Sequence, residues 1–397
     1  MRLPGAPSLP SLAMLLAGSL WGLAAATPAA PPPGSVSAPA AMPAADTFPV
    51  VLDADGFRLA VRGYEFAFPF DHAAHPTFRT EWWYYTGHLE SGNRTFGYEI
   101  TFFRVGLPVA RATKGGSAWR AHQVLFRHVA LTDETGARFL CDDKAERQAL
   151  DLAGADSTRY LVWLRDDYAG LEADRRTHRV VGKSDAFALD LRMVPEKPPV
   201  VHGEDGVSQK TEGMGNASHY YSFSRLSTRG RLVLGPDTLA VTGRSWMDHE
   251  FASSRLKDTH AGWDWFSVQL SDGRDLMLYR LRLKGGGTEP LSSGTMIDAT
   301  GHARHIPYAE FDTGPTGEWV SPRTGGRYPS GWIVRLTGEH LELELTPTIR
   351  DQELVASSMG GLAYWEGSVR VKGTSAGKPV TGQGYVELTG YAGKSPF

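Results

Sequence analysis

The stretch that decides the fold class is Phe78-Arg79-Thr80-Glu81-Trp82-Trp83-Tyr84-Tyr85-Thr86-Gly87-His88-Leu89. Four aromatic residues in a row follow a glutamate. Neighbouring side chains of a strand point to opposite faces, so Glu81 and Trp83 share one face while Trp82 and Tyr84 share the other. Both faces then carry large rings with polar groups. This pattern is typical of a barrel or sandwich wall with packed core on one side and an apolar cavity on the other.

The composition is that of a soluble globular protein rich in β structure. The chain has 397 residues, of which 41% are hydrophobic and 21% charged, and this length allows two domains. The formal net charge is −3 with both signs scattered, which gives no support to nucleic-acid binding. The 45 glycines, 11 tryptophans and 14 tyrosines favour strands joined by many turns.

The N-terminus is predicted to be a targeting segment. An apolar run from Leu12 ends in Ala24-Ala25-Ala26, which fits a small-residue cleavage site. We therefore expect a signal peptide over 1–26, cleaved during export, and a mature protein that is periplasmic or secreted. An uncleaved membrane anchor is the alternative, although the run is short for a span of about 20 residues. Residues 27–47 form a Pro/Ala-rich linker.

An aromatic hairpin occurs twice. The first consists of Trp82–Leu89, a glycine turn and Thr95–Val105, and the second begins with the strand Trp263–Leu270. Aligning Leu270 with Leu89 places Trp263 on Trp82. We interpret this as a diverged duplication that gives two similar β-units, over 48–250 and 251–397. The best helix candidate is the stretch from Asp142 to Ala153.

The second dense cluster is Ser245-Trp246-Met247-Asp248-His249-Glu250-Phe251, which Trp263-Asp264-Trp265 follows. A carboxylic acid walled by tryptophan has a raised pKa and can donate a proton near neutral pH. Neighbouring indole faces can stabilise the carbocation that this donation creates. Alternatively, the cluster is a polar knot that satisfies backbone groups where the two units meet. Both interpretations stay open.

Metal and hydrolase chemistry have less support. Asp248, His249 and Glu250 are consecutive, so on a strand they cannot all face one ion, and the histidine spacings match no common zinc pattern. The segment Gly373–Gly377 fits G-x-S-x-G, but it lies between two predicted strands and lacks the strand–elbow–helix context of a serine hydrolase. Cys141 is the only cysteine, which excludes an intrachain disulfide. We predict no bound metal ion.

These motifs resemble a known family, the lipocalin-like carotenoid 1,2-hydratases, which also includes bacterial predicted secreted hydrolases. The resemblance covers roughly residues 53–397. The stretches that carry it are the two clusters quoted above, Tyr364-Trp365-Glu366-Gly367, and Gly384-Tyr385-Val386-Glu387-Leu388-Thr389-Gly390-Tyr391. It implies an all-β fold of two tandem lipocalin-like β-barrels with few helices. It also implies cofactor-free hydration or cyclisation of an apolar isoprenoid or polyene.

The site residues follow from the resemblance together with the chemistry of an acid sheltered by rings. We predict Asp248, His249 and Asp264 as catalytic residues. The predicted ligand-binding residues are Glu81, Trp83, Trp246, Trp263 and Trp265. We expect all eight to line one pocket.

Two functions remain open at this point. One is a hydro-lyase or cyclase acting on an apolar alkene. The other is a non-catalytic carrier of a lipid or other apolar molecule, associated with an ABC-type export permease. Carotenoid hydratases act inside the cell, so the predicted export makes the chain more similar to the secreted branch of the family. We expect a monomer. The feature that distinguishes the two functions is an acid of strongly raised pKa in an apolar pocket.

Overall fold

The structure is a computed structural model that describes residues 50–108, 121–253 and 256–393. The predicted signal peptide and linker lie outside these described residues. Within them, no helix is long and apolar enough to cross a membrane. Their helices are four single turns of 3-10 helix, namely Phe70–His72, Tyr308–Glu310, Thr337–Glu339 and Ser357–Met359.

The described residues form 25 strands, numbered in chain order. They are Thr80–Ser91 (β1), Arg94–Gly106 (β2), Gln123–Asp133 (β3), Arg138–Arg147 (β4), Ala153–Ala155 (β5), Leu161–Leu164 (β6), Asp167–Leu171 (β7), His178–Lys183 (β8), Phe187–Pro195 (β9), Val200–Val201 (β10), Ser208–Gln209 (β11), Ala217–Leu234 (β12), Asp237–Ala252 (β13), His260–Leu270 (β14), Asp275–Leu283 (β15), Ser293–Ile297 (β16), Ala303–Pro307 (β17), Phe311–Pro315 (β18), Glu318–Val320 (β19), Arg327–Pro329 (β20), Trp332–Leu336 (β21), Leu341–Pro347 (β22), Glu353–Ala356 (β23), Leu362–Ser375 (β24) and Lys378–Thr389 (β25).

The structure contains two large antiparallel sheets, and their strands follow corresponding orders. The first contains β1–β13 in the order β4-β3-β2-β1-β13-β12-β9-β8-β7-β6-β5, and β10 and β11 pair with β12. The second follows β17-β16-β15-β14-β25-β24-β22-β21-β18, and β23 pairs with β24. In each sheet the first strand in the chain pairs with the last one, so β1 pairs with β13 and β14 pairs with β25. This repeated order matches the duplicated hairpin, and the predicted all-β class with two lipocalin-like barrels is confirmed.

The predicted helix from Asp142 to Ala153 is wrong. Residues up to Arg147 belong to β4, which pairs along its length with β3. The strand is held from the side as well, because the buried Arg127 guanidinium donates to the Asp142 carboxylate at 2.7 Å. Long-range pairing of this kind overrides a fair local helix propensity.

Three apolar clusters make up most of the interior. One cluster consists of side chains from the first sheet and includes Trp83, Tyr85 and Phe102. A second consists of side chains from the other sheet and includes Phe266 and Trp332. The third lies between the two sheets. Its members come from both, and they are Tyr84, Val200, Tyr220, Trp246, Trp265, Met277, Tyr279, Leu281, Ile297 and Tyr385. The two sheets therefore pack on each other through aromatic side chains that point out of each sheet.

Gly97 on β2 marks how closely the sheets approach. A Cβ atom at Gly97 would lie 2.5 Å from the Ser368 Cβ atom of β24. A Cβ atom at Gly285, in the turn after β15, would have no heavy atom within 4 Å. The two glycines thus offer a matched pair for testing the contact between the sheets.

We expect Gly97→Ala to lower the free energy of unfolding by about 1–3 kcal/mol, because the added methyl group overpacks the contact between the sheets. Gly285→Ala should be neutral, or stabilising by up to about 1 kcal/mol through the unfolded state. Urea unfolding followed by tryptophan fluorescence measures both. Equal effects of the two substitutions would contradict the packing described here.

Candidate functional site

The candidate site begins with a row of side chains across three neighbouring strands. Asp248 on β13 lies opposite Tyr84 on β1 and opposite Ser222 on β12. Directly opposed residues of antiparallel strands project to the same face. This face of the first sheet is the one that meets the second sheet, since Tyr84 belongs to the cluster between them.

Asp248 is buried and surrounded by neutral hydrogen-bond donors. Its Oδ1 atom accepts hydrogen bonds from Trp246 Nε1 at 2.5 Å and from the Ser222 hydroxyl, and its Oδ2 atom accepts one from the Tyr220 hydroxyl at 2.7 Å. Burial raises the pKa of Asp248 to about 7, although the three donors favour the charged form. A carboxyl group in this setting holds a proton near neutral pH.

A cavity of about 130 Å³ lies beside Asp248, between the two sheets. Its walls are mostly rings and aliphatic groups. The lining residues are Thr80, Trp82, Tyr84, Phe103, Lys210, Thr211, Asn216, Ala217, Ser218, Tyr220, Asp248, Glu250, Ala252, Leu256, Lys257, Trp263, Trp265, Tyr279, Leu281 and Glu387. A mostly apolar cavity with a few polar groups is the usual form of a small-molecule site.

The second sheet contributes an acid of its own. Glu387 on β25 lies opposite Trp265 of β14 and lines the cavity. Burial raises the pKa of Glu387 to about 7, and the charges of Asp248 and Glu250 add to the rise. Sequence reasoning did not select Glu387 as a site residue, although it stands within the C-terminal stretch that carries the family resemblance. Two proton-bearing carboxyl groups, one from each sheet, therefore face the same cavity.

A charged pair also lines the cavity. The Lys210 ammonium lies 3.0 Å from a carboxylate oxygen of Glu250 and 4.3 Å from the ring centre of Tyr279. Opposite charges at this distance neutralise each other, and the aromatic ring adds a cation–π contact. The Lys210–Glu250 pair supplies polar groups to the wall without leaving an uncompensated charge.

Three of the predicted site residues lie on the opposite face of the same strands. Glu81, Trp83 and His249 point into the first sheet, away from the cavity. Glu81 Oε1 accepts a hydrogen bond from His249 Nε2 at 2.9 Å, and the Trp83 ring stacks on the His249 ring with centroids 4.7 Å apart. The reason is strand alternation, which sends Trp83 and Tyr84 to different sides.

Glu81 is the centre of a compensated ion network. Its carboxylate accepts a hydrogen bond from Arg104 Nε at 2.8 Å and from His75 Nδ1 at 2.8 Å, while His75 Nε2 lies 3.1 Å from Asp71 Oδ1. Burial alone would raise the pKa of Glu81, but Arg104, His249 and His75 together hold it well below its usual value. The carboxylates of Glu81 and Asp71 in turn raise the pKa of His75 against the effect of burial.

His75, Glu81 and His249 could offer one ligand atom each to a metal ion, since these atoms lie within 4.8 Å of one another. The charges argue for a different role. The Arg104 guanidinium already binds Glu81, and a protonated His75 between two carboxylates balances the remaining charge. We assign this network to structure, because it ties the segment before β1 to the first sheet.

Asp264 also lies away from the cavity. Its carboxylate binds Arg280 at 2.6 Å and Arg282 at 2.9 Å, and it accepts a hydrogen bond from the Tyr391 hydroxyl at 3.0 Å. Its neighbours Trp263 and Trp265 point the other way and line the cavity. The eight predicted residues thus do not share one pocket.

Asp248, Trp263 and Trp265 meet at the cavity, and Trp246 packs behind Asp248. The other four predicted residues, Glu81, Trp83, His249 and Asp264, point away from the cavity because side chains alternate along a strand.

The fold and site can now be compared with known proteins. The sequence pattern of the AttH-like family matches residues 59–391. The chain belongs to the AttH-like family. A crystal structure assigned to AttH from Nitrosomonas europaea is 36% identical to this AttH-like chain and superposes with a TM-score of 0.76, covering 85% of this chain and 100% of the other. The resemblance to the hydratase-like, lipocalin-like family seen in the sequence is thereby confirmed.

More distant structures share the fold of this AttH-like protein. Kievitone hydratase from Nectria haematococca is 16% identical and has a TM-score of 0.64, with 86% of this chain and 96% of that chain covered. CghA is 14% identical and has a TM-score of 0.50, with 86% and 98% covered. No curated protein matches the chain. At these identities the likeness extends to the fold alone.

The network around Glu81 predicts a large effect on stability. We expect Glu81→Gln to lower the free energy of unfolding by about 3–5 kcal/mol, because the buried Arg104 guanidinium would lose its carboxylate partner and His75 would keep only Asp71. The control is Glu318→Gln, which removes a carboxylate from an exposed pair with Arg327 and should cost less than about 1 kcal/mol. Chemical denaturation at pH 7 measures both, and similar losses would argue against a structural role for the network.

The raised pKa of Asp248 predicts how stability varies with pH. A carboxyl group whose pKa rises on folding contributes stability that is present below its unfolded value of about 3.9. That contribution is lost as the pH rises through the folded value of about 7. In Asp248→Asn this part of the decline should vanish, flattening the curve by up to about 1.4 kcal/mol per pH unit. Measuring the free energy of unfolding of both proteins from pH 4 to pH 8 tests this. If its slope against pH is the same in Asp248→Asn as in the wild type, Asp248 is not the group that holds the proton.

Proposed function

We propose that the cavity between the sheets binds an apolar isoprenoid or polyene group and catalyses addition of water to it, or its cyclisation, by acid catalysis. The observation that carries this proposal is the meeting of Asp248 and Glu387, from different sheets, at one aromatic-lined cavity. Burial raises the pKa of each to about 7. Such acids are suited to proton transfer near neutral pH.

The size of the cavity limits what reacts there. An apolar cavity of about 150 Å³ holds a benzene molecule, so the space of about 130 Å³ beside Asp248 takes a group of about that size. A single isoprene unit fits this limit. A longer molecule would place one such unit between the two acids, and the rest of it would lie outside the cavity.

The reaction needs one carboxyl group protonated and the other ionised. Asp248, when protonated, gives its proton to one carbon of the double bond, and the other carbon becomes cationic. A water molecule attacks that cation and passes a proton to Glu387, when Glu387 is ionised. The product gains one molecule of water, and a proton exchange between the acids restores the site. In cyclisation a second double bond of the same molecule attacks the cation instead, which closes a ring and leaves a new cationic carbon. Loss of a proton from the neighbouring carbon to the ionised Glu387 forms a double bond, so the product is an isomer of the starting molecule.

The aromatic walls suit the intermediate. The rings of Tyr84 and Trp265 meet edge to face with centroids 5.3 Å apart, and both line the cavity. The faces of aromatic rings attract cations, most strongly when water is excluded. Trp246, Ser222 and Tyr220 hold the Asp248 carboxyl group in place by hydrogen bonds.

The apolar lining also suits a non-catalytic carrier of a lipid or other apolar molecule. In that function the acids would serve only to seat the two sheets on each other. The predicted signal peptide would place such a carrier in the periplasm or outside the cell, where an ABC-type export permease could be its partner. The carrier is therefore the second candidate, and activity measurements distinguish it from the first.

We expect Asp248→Asn to abolish turnover while ligand binding stays within about tenfold, or about 1.4 kcal/mol. The substitution keeps the size of the side chain but removes its acidic proton. The probes are geraniol and the apolar material that copurifies with the mature protein. Each is incubated in ¹⁸O-labelled water and analysed by mass spectrometry for uptake of one labelled water or for an isomeric ring product.

The matched control is Asp237→Asn, which alters an exposed aspartate paired with Arg94 and should leave turnover unchanged. Thermal melts run beside the assay show whether Asp248→Asn is folded. If the wild-type protein binds the copurified material and returns every probe unchanged, the acid-catalysis proposal fails and the carrier function is supported.

A further inference from the structure

A second cavity, of about 390 Å³, lies at the end of the first sheet where β8 begins and β9 ends. It shares no lining residue with the cavity between the sheets. Its walls include Phe223 and Leu171, and Arg175 and Arg176 lie among its exposed residues. The volume falls in the range of small-molecule sites, and the function proposed above makes no use of this space.

Two buried histidines line this second cavity. His72 is 5% exposed and His178 is 1% exposed, and their ring centroids are 6.0 Å apart. Each uses its Nδ1 atom within the protein, because His72 Nδ1 lies 2.6 Å from the Tyr221 hydroxyl and His178 Nδ1 lies 2.9 Å from the Tyr85 hydroxyl. Neither Nε2 atom has a hydrogen-bond partner among the described residues, and neither is fully enclosed by them.

The proton positions on His72 follow from the ionised Glu81. The Glu81 carboxylate accepts from His249 Nε2, so the proton of the neutral His249 ring lies on Nε2 and its Nδ1 atom is an acceptor. The Tyr221 hydroxyl, 3.1 Å away, then donates to His249 Nδ1. The Tyr221 oxygen in turn accepts a hydrogen bond from His72 Nδ1–H. The chain of hydrogen bonds leaves His72 Nε2 as a free acceptor at the second cavity.

His178 has the opposite tautomer. The Tyr160 hydroxyl has the Tyr85 hydroxyl as its partner, and both tyrosines are buried. Each buried O–H group is satisfied when Tyr160 donates to Tyr85 and Tyr85 donates to His178 Nδ1. The reverse order would leave the Tyr160 proton without an acceptor. The proton of His178 therefore lies on Nε2, which makes this atom a donor at the second cavity.

We propose that the second cavity is a binding site for a small, uncharged molecule whose terminal group both donates and accepts a hydrogen bond, such as a primary amide or an alcohol, on a short apolar body. The amide N–H or alcohol O–H would donate to His72 Nε2, and the oxygen would accept from His178 Nε2–H. The apolar body would pack on Phe223 and Leu171.

The same arrangement selects against a carboxylate. A carboxylate only accepts, so it would face the lone pair of His72 Nε2. Burial lowers the pKa of His72 and of His178 to about 3, so both rings stay neutral at pH 7. The positively charged guanidinium groups of Arg175 and Arg176 would instead attract a carboxylate. Comparing the binding of an amide with that of a carboxylate therefore tests whether the histidines or the arginines determine selectivity.

The test compares hexanamide with hexanoate, two probes of nearly the same shape, on the full chain at pH 7. Because a buried acceptor left unpaired is costly, we expect hexanamide to bind at least about tenfold more tightly than hexanoate, with a dissociation constant of the order of 1 mM. Titration calorimetry measures both. Tighter binding of hexanoate, or no binding of hexanamide, would overturn the proposal.

Nuclear magnetic resonance tests the mechanism without any variant. The ¹⁵N shifts of His72 and His178 report their tautomers, and we expect the proton on Nδ1 in His72 and on Nε2 in His178. Adding hexanamide should move both Nε2 resonances. The same tautomer on both rings, or unmoved resonances during binding, would contradict the site.

A variant checks that Tyr221 sets the selectivity. Tyr221→Phe keeps the ring and removes the hydroxyl that joins His249 to His72, so the preference for hexanamide should fall toward equal binding. Tyr168→Phe removes a half-buried phenolic hydroxyl that makes no hydrogen bond among the described residues and should leave the preference unchanged. Asp248→Asn should also leave it unchanged, which separates this site from the proposed acid catalysis.

Discussion

Everything in this structure depends on the alternation of side chains along β1 and β13. Along most of β1, and along β13 from Ser245 to Ala252, neither face is free to meet water, because one face packs inside the first sheet and the other packs against the second sheet. Glu81 and His249 point inward, while Tyr84 and Asp248 point toward the second sheet. A shift in register by one residue would exchange these two sets and destroy both environments at once.

Two carboxyl groups on these neighbouring strands show how environment decides the role of an acid. Glu81 is buried with Arg104 and a protonated His75, and those charges hold its pKa low. Asp248 is buried with neutral donors only, and burial raises its pKa to about 7. The first carboxylate is an anchor of the fold. The second keeps a proton that it can give away.

The cavity between the sheets exists only because the hairpin is repeated. Each sheet follows the same strand order, and each turns an aromatic face outward from its first hairpin. Trp82 and Tyr84 come from one copy, and Trp263 and Trp265 from the other. Neither sheet alone would enclose this space or bring Glu387 to the side of Asp248. The two copies of the hairpin thus supply different walls of one cavity.

The sequence alone determined the all-β class and the repeated hairpin, because alternation and aromatic clusters are local features. The choice of Asp248, Trp263 and Trp265 as candidate site residues rested on the family resemblance as well. Only the tertiary structure decided which neighbours each acid meets. Glu387 reaches the cavity through pairing of the last strand with β14, and Asp264 is neutralised by arginines of β15. The physical reason is that strand pairing and burial act between residues far apart in sequence, and both pKa values and cavities depend on them.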